Sequence, residues 1–214
     1  MKINRKITIL FLLCLFGLGI LWYVGDVSEK LRDRLKKSSD AIELLAFERA
    51  LLLDNAMLHF KYNDIQLPDL QLYTIEGDSL CLSDVLDDEY KLLIRFSYLH
   101  CSSCIHELFN GLSQIMEKFP SNRVLLIGTY QNQRTFDAFM TNYSLSYPIY
   151  WSNKKENILE KENMPYVCLI DKSRIIRNLM IPIKEMPNYS VRYYEIILDR
   201  FFADSLYLNY RTVE

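Results

Sequence analysis

The chain has 214 residues, half of them hydrophobic, and a formal net charge of −2. That composition excludes a disordered chain, and the near balance of charge points away from nucleic acid as a partner. The length suits one domain of ordinary size plus an appendage, and the scarcity of Pro and Gly, six of each, favours regular elements with tight connections.

Ile7 to Val24, ITILFLLCLFGLGILWYV, is an uncharged run preceded by Lys2, Arg5 and Lys6. As a helix it spans roughly 27 Å, close to the hydrocarbon thickness of a bilayer. Trp22 and Tyr23 stand at its outer end, where interfacial aromatics are common. We expect residues 1–25 to form an uncleaved anchor, with residues 7–24 in the membrane. A cleaved signal peptide is the alternative, but ILWYV carries the apolar run past the small residues Gly17 and Gly19. Leu13 precedes Cys14 where a lipobox needs a small residue, so Cys14 reads as part of the span. Counting Lys and Arg on each side does not favour an inside N-terminus. A short basic start before a first and only span is nevertheless the usual signal-anchor pattern. It puts the N-terminus in the cytoplasm and the rest in the periplasm, or otherwise outside the cytoplasm.

Asp26 to Tyr62 contains neither Pro nor Gly, and Leu31, Leu35, Ile42, Leu45, Leu52, Ala56 and Phe60 recur near helical period. We read residues 26–62 as a juxtamembrane helical stalk whose first part, EKLRDRLKK, is solvated. Its second part, AIELLAFERALLLDNAMLHF, is too apolar to stay bare. Packing on the globular domain is the expected cover, and a homodimer through this helix as a coiled coil is the alternative.

Residues 63–214 read as an α/β domain. Leu70 to Thr74 and Ser79 to Leu82 form a hairpin with Gly77 in the turn, followed by a short helical turn at Ser83 to Leu86. The short apolar runs Lys91 to Ser97, Arg123 to Thr129, Tyr147 to Trp151 and Tyr166 to Ile170 read as strands, and Ile175 to Ile181 as an antiparallel return. Helices are expected from Cys101 to Phe119, Thr135 to Tyr143, Lys154 to Lys161 and Val191 to Phe202. Strands alternating with helices and closing in a hairpin plus helix imply a mixed sheet flanked by helices.

The stretch KLLIRFSYLHCSSCIHE carries the chemistry. It sets a buried strand, a sharp turn and a C-x-x-C at the start of a helix, the layout of a redox-active dithiol. Cys101 caps the helix, where unpaired N–H groups and the helix dipole favour a thiolate, and Cys104 lies one turn inside as the natural resolving thiol. Two structural thiols or a metal site are the rival readings. No second C-x-x-C or H-x-x-x-H lies downstream for zinc, although copper handling stays open. Ile105 stands where a c-type haem motif needs His. Cys81 and Cys168 fall in expected strands and read as core thiols, and His59 and His106 as structural or surface residues.

With these residues in place, Asp69 to the C-terminus resembles the TlpA/ResA-like branch of membrane-anchored thioredoxin-fold thiol-disulfide oxidoreductases. The likeness rests on the hairpin LQLYTIEGDSLCLSDVL, the strand into C-S-S-C, Glu107 three residues after Cys104, and Met164-Pro165 before YVCLID. It implies a thioredoxin-like mixed β-sheet and exchange with protein thiols and disulfides, with an electron donor or acceptor behind them. It implies no cofactor beyond a redox-active Cys101–Cys104 disulfide, a nucleophilic Cys101, a resolving Cys104, and a cis-proline, Pro165, facing them. The chain departs from the family at His100, usually Trp; at Arg95, often acidic or Asn; and at Met164, commonly Thr, Val or Ile. From the family fold we expect Arg95 to pair with Glu107 and depress the thiol pKa values, and a protonated His100 to stabilise the Cys101 thiolate. The rival function is metal delivery, of copper above all, or a non-catalytic interaction module that kept the fold.

Overall fold

The computed structural model describes residues 5–143, 147–153 and 158–203. Helix α1 runs Arg5–Tyr62 without a break. The chain divides into two compact units, Met1–Ala50 and Leu51–Glu214, so the last turns of α1 belong to the second unit. In the first unit α1 contains a stretch long and apolar enough to cross a membrane, and Leu10, Phe11, Phe16, Leu21 and Trp22 are all exposed on it.

The second unit is built on a sheet of seven described strands. These are β1 (Gln71–Tyr73), β2 (Ser79–Cys81), β3 (Lys91–Ser97), β4 (Val124–Thr129), β5 (Ile149–Ser152), β6 (Tyr166–Ile170) and β7 (Arg177–Met180). Their order is β2-β1-β5-β4-β3-β6-β7. β3 pairs parallel with β4 and antiparallel with β6, and β4 pairs parallel with β5. This is the mixed sheet expected from the sequence. β3, β4 and β6 lie inside the sheet and are covered on both faces. They therefore read as continuous apolar runs rather than alternating ones.

Helix α2 (Ser102–Ser113) connects β3 to β4, and α3 (Gln133–Met140) connects β4 to β5. Both crossovers step across the sheet in the same direction. The right-handed rule then places both helices on one face, where α4 (Pro187–Phe201) joins them. The core on that face gathers Leu92, Ile94 and Phe96 of β3 with Ile105, Leu108 and Leu112 of α2, Phe136 of α3 and Tyr194 of α4. The opposite face packs Leu93, Ile127, Tyr166 and Cys168 against Tyr62 of α1 and the hairpin residues Leu70 and Leu72. Cys168 is the buried core thiol expected, whereas Cys81 is exposed on the edge strand β2.

Two glycines are fixed by geometry. Gly77 turns the hairpin with φ at +96°, a region that L side chains rarely adopt. Gly128 of β4 is approached so closely by the Phe136 and Phe96 rings that a Cβ there would lie 2.8 and 2.9 Å from them. The hairpin is tied to the sheet through Tyr73, which stands opposite Trp151 and stacks on its ring at 4.7 Å.

Helix α2 ends earlier than its apolar spacing suggests. The Ser113 hydroxyl bonds back to the Asn110 carbonyl at 2.8 Å, and the chain tightens there, with Ile115 N–H donating to Leu112 at 3.1 Å. Ile115 and Phe119 still reach the core through a 3-10 turn at Met116–Lys118. The charged helix expected at Lys154 to Lys161 falls partly outside the described residues, and Ile158–Glu162 forms a 3-10 helix.

Candidate active site

β3 ends at Ser97, and the turn Tyr98 to His100 is closed by the His100 N–H donating to the Ser97 carbonyl at 3.0 Å. The chain re-enters regular structure at Cys101, the N-cap of α2, whose carbonyl accepts the Ile105 N–H at 3.1 Å. The thiol of Cys101 is exposed, and the Ser103 hydroxyl lies 2.9 Å from its Sγ. That hydroxyl, followed by the backbone N–H and thiol of Cys104, holds the Cys101 thiol down to about 7. Cys104 is half-buried. Desolvation, and then its thiol–thiol contact with Cys101, push it up to about 11. Both cysteines are free thiols. One turn of helix therefore holds a solvent-facing thiol that ionises near neutral pH and a shielded thiol that keeps its proton.

Both thiols open onto a groove of about 430 Å³. Met164 and Pro165 form one side of it, Ile181 to Glu185 another, and Leu51, Asn55 and Leu58 from the end of α1 a third. Pro165 lines the same groove as the two cysteines, and its peptide bond does not have the cis geometry that the family resemblance implied. No cis peptide bond occurs among the described residues, so Met164–Pro165 is trans, the isomer an X–Pro bond prefers by about 0.5–1 kcal/mol.

Arg95 and His100 also differ from expectation. Strand alternation puts Arg95 on the side of Leu93, away from α2, where its guanidinium donates to the Ile127 carbonyl at 3.3 Å and to the Thr129 hydroxyl. Glu107 rides half-buried on α2, which packs on the opposite face, and the expected Arg95–Glu107 pair does not form. Arg95 is 1 % exposed and serves the second core rather than the thiols. His100 is 7 % exposed, and its Nδ1 has no hydrogen-bond partner. Burial first, and then the nearby charge of Arg95, pull it down to about 4. At neutral pH it is an uncharged imidazole, so it cannot act as the cationic partner of Cys101.

Three contributors were not read from the sequence. Ser103 was visible only as a spacer of the motif. Asn55 follows Asp54 in an otherwise apolar helical stretch, and a polar side chain, once buried, must find a partner. It is 6 % exposed, and its side chain takes both backbone groups of Ile181, donating to the carbonyl at 2.6 Å and accepting the N–H at 3.3 Å. Leu58 sits on the same helix face as Asn55, three residues on. Among the described residues no group of three His, Cys, Asp or Glu side chains is arranged to hold a metal ion.

No family model matches the chain, and no curated protein sequence matches it. Among solved structures it is similar to the thioredoxin domain of a thiol-disulfide oxidoreductase from Bacteroides vulgatus, at 16 % identity over 61 % of this chain and 96 % of that one, with a TM-score of 0.43. It is similar to a thiol:disulfide interchange protein from Bacteroides sp., at 15 % identity over 61 % of this chain and 88 % of that one, TM-score 0.43. It is also similar to peroxidoxin BcpB from Mycobacterium tuberculosis, at 13 % identity over 64 % of this chain and 97 % of that one, TM-score 0.47.

Proposed function

We propose that the chain is a membrane-anchored thiol-disulfide oxidoreductase acting on partner proteins. The observation that carries this reading is the division of labour between the two thiols at the start of α2, with Cys101 exposed and held near 7 and Cys104 shielded and held near 11. A thiolate is the attacking species in exchange, and one that ionises near ambient pH balances abundance against nucleophilicity.

In the proposed cycle the Cys101 thiolate attacks one sulfur of a substrate disulfide. A Cys101–substrate S–S bond forms, the substrate's own S–S bond breaks, and the second substrate sulfur leaves as a thiolate that takes up a proton. Cys104 then gives up its proton and attacks the Cys101 sulfur, releasing the first substrate sulfur as a thiol. The substrate gains two electrons and two protons, and the enzyme is left with a Cys101–Cys104 disulfide that a dithiol donor must reduce. Run backwards, the same steps oxidise a substrate dithiol. Pro165 lines the groove beside the thiols and Ser103 supports the Cys101 thiolate.

Anchoring is supported by the exposed apolar stretch of α1, which needs a nonpolar cover. The count of Lys and Arg does not set the orientation. We take the signal-anchor pattern of a short basic start before the span as the guide, with the N-terminus cytoplasmic and the thiols outside the cytoplasm, where disulfide substrates persist. The test is a trapping experiment on the full chain in membranes. Cys104→Ser should accumulate a mixed disulfide with partner proteins that resolves on reduction, and Cys101→Ser should not. Equal trapping by both variants, or by neither, sinks the reading.

A further inference from the structure

The groove beside the thiols is not made by the sheet and its loops alone. Its third wall is the end of α1, and all its lining residues fall within the compact unit that begins at Leu51. That wall is fastened at two points. Asn55 holds both backbone groups of Ile181, and Lys61 and Tyr62 both reach Glu162, the lysine at 2.6 Å. The lining is mostly apolar, with Leu51, Leu58, Met164, Pro165 and Ile183 around the two cysteines.

The fastening has a second effect. β7 is the edge strand of the sheet, and edge strands are the usual place for an extended peptide to add by backbone hydrogen bonding. At Ile181, just past β7, both backbone groups are already taken by Asn55. A substrate segment entering here cannot add to the sheet at Ile181, which leaves its side chains to be read by the apolar lining. At about 430 Å³ the groove falls within the range of pockets that hold small ligands, roughly 300–1,000 Å³, so it admits a short segment rather than a folded surface.

From this we infer that the end of α1 is a specificity wall, and that Leu51 and Leu58 select substrate cysteines flanked by apolar residues in an extended, unfolded segment. The inference rests on the exchange reading above and goes beyond it by naming the substrate class and the residues that choose it. An apolar side chain next to the reacting cysteine gains a dry surface on Leu58 and Met164, whereas a polar neighbour would lose its water there.

The test uses the reduced full-length protein in detergent and two synthetic peptides, one with its cysteine between leucines and one with it between serines. Each peptide is supplied as its mixed disulfide with glutathione, and the second-order rate constant of exchange is measured for each. Because the ratio of the two constants is read, a general loss of activity in a variant cancels. The wild type should favour the leucine-flanked peptide by about tenfold or more. Leu58→Glu and, separately, Leu51→Gln should bring the ratio to within about twofold of one, and Leu58→Met should restore it. A wild-type ratio near one overturns the inference, as does a wild-type preference that survives in both Leu58→Glu and Leu51→Gln. Absence of exchange with either peptide overturns the exchange reading itself, whereas equal exchange with both overturns only the wall.

Discussion

The Ser103 hydroxyl lies 2.9 Å from the reactive thiol and is the largest cause of its lowered pKa. Ser103→Ala should therefore move the Cys101 titration upward from about 7 toward the ordinary thiol range. The sign follows from the thiolate being the reactive form. A raised pKa leaves less of it at pH 7, so alkylation of Cys101 by iodoacetamide should slow there by roughly three- to tenfold and recover at pH 9. An unchanged pH profile removes Ser103 from the site. The dithiol itself was legible in the sequence because its spacing at a helix start is a local feature. The Ser103 contact was not, because either motif serine could have turned toward the thiol. Arg95 shows the opposite case. A strict period-two reading of KLLIRFS already sets it on the face opposite Phe96, and the pairing with Glu107 came from family likeness rather than from these residues.

At the level of elements, β3 and β6 were readable almost to the residue because interior strands are continuous apolar runs with sharp ends. The end of α2 was not, since a single serine hydroxyl redirects the backbone where the apolar spacing continues. The crossing of β3, β4 and α3 was equally hidden, for it depends on a residue with no side chain. Gly128 lets the Phe96 and Phe136 rings close over β4. Gly128→Ala should force those rings apart and cost about 1–3 kcal/mol. Urea unfolding should show this as a lower midpoint with an unchanged slope, and a midpoint equal to the wild type would mean the rings can give way.

On the scale of the whole molecule, the boundary between units falls inside α1, at Ala50 and Leu51, rather than at its end. The sequence marked the change only coarsely, as a shift from charged to apolar residues near Ala41, and no Pro, Gly or change of helical period singles out Leu51. A chain lacking residues 1–50 should therefore keep the full unit and unfold near the temperature of the intact protein. Removal of residues 1–62 takes away Asn55, Leu58 and the buried Tyr62, and should cost about 3 kcal/mol or more, a drop of roughly 6–12 °C. Calorimetry on the two truncations decides it, and equal transitions would show that the helix end is dispensable. Within that unit the two thiols also set the order of events. Part of what keeps the proton on Cys104 is its contact with Cys101 and the charge there. Once Cys101 is tied up in a mixed disulfide that charge is gone, and Cys104 is left with desolvation as its main restraint. The first bond made thus loosens the hold on the Cys104 proton in part, while burial, the larger cause, still shields that thiol from other partners.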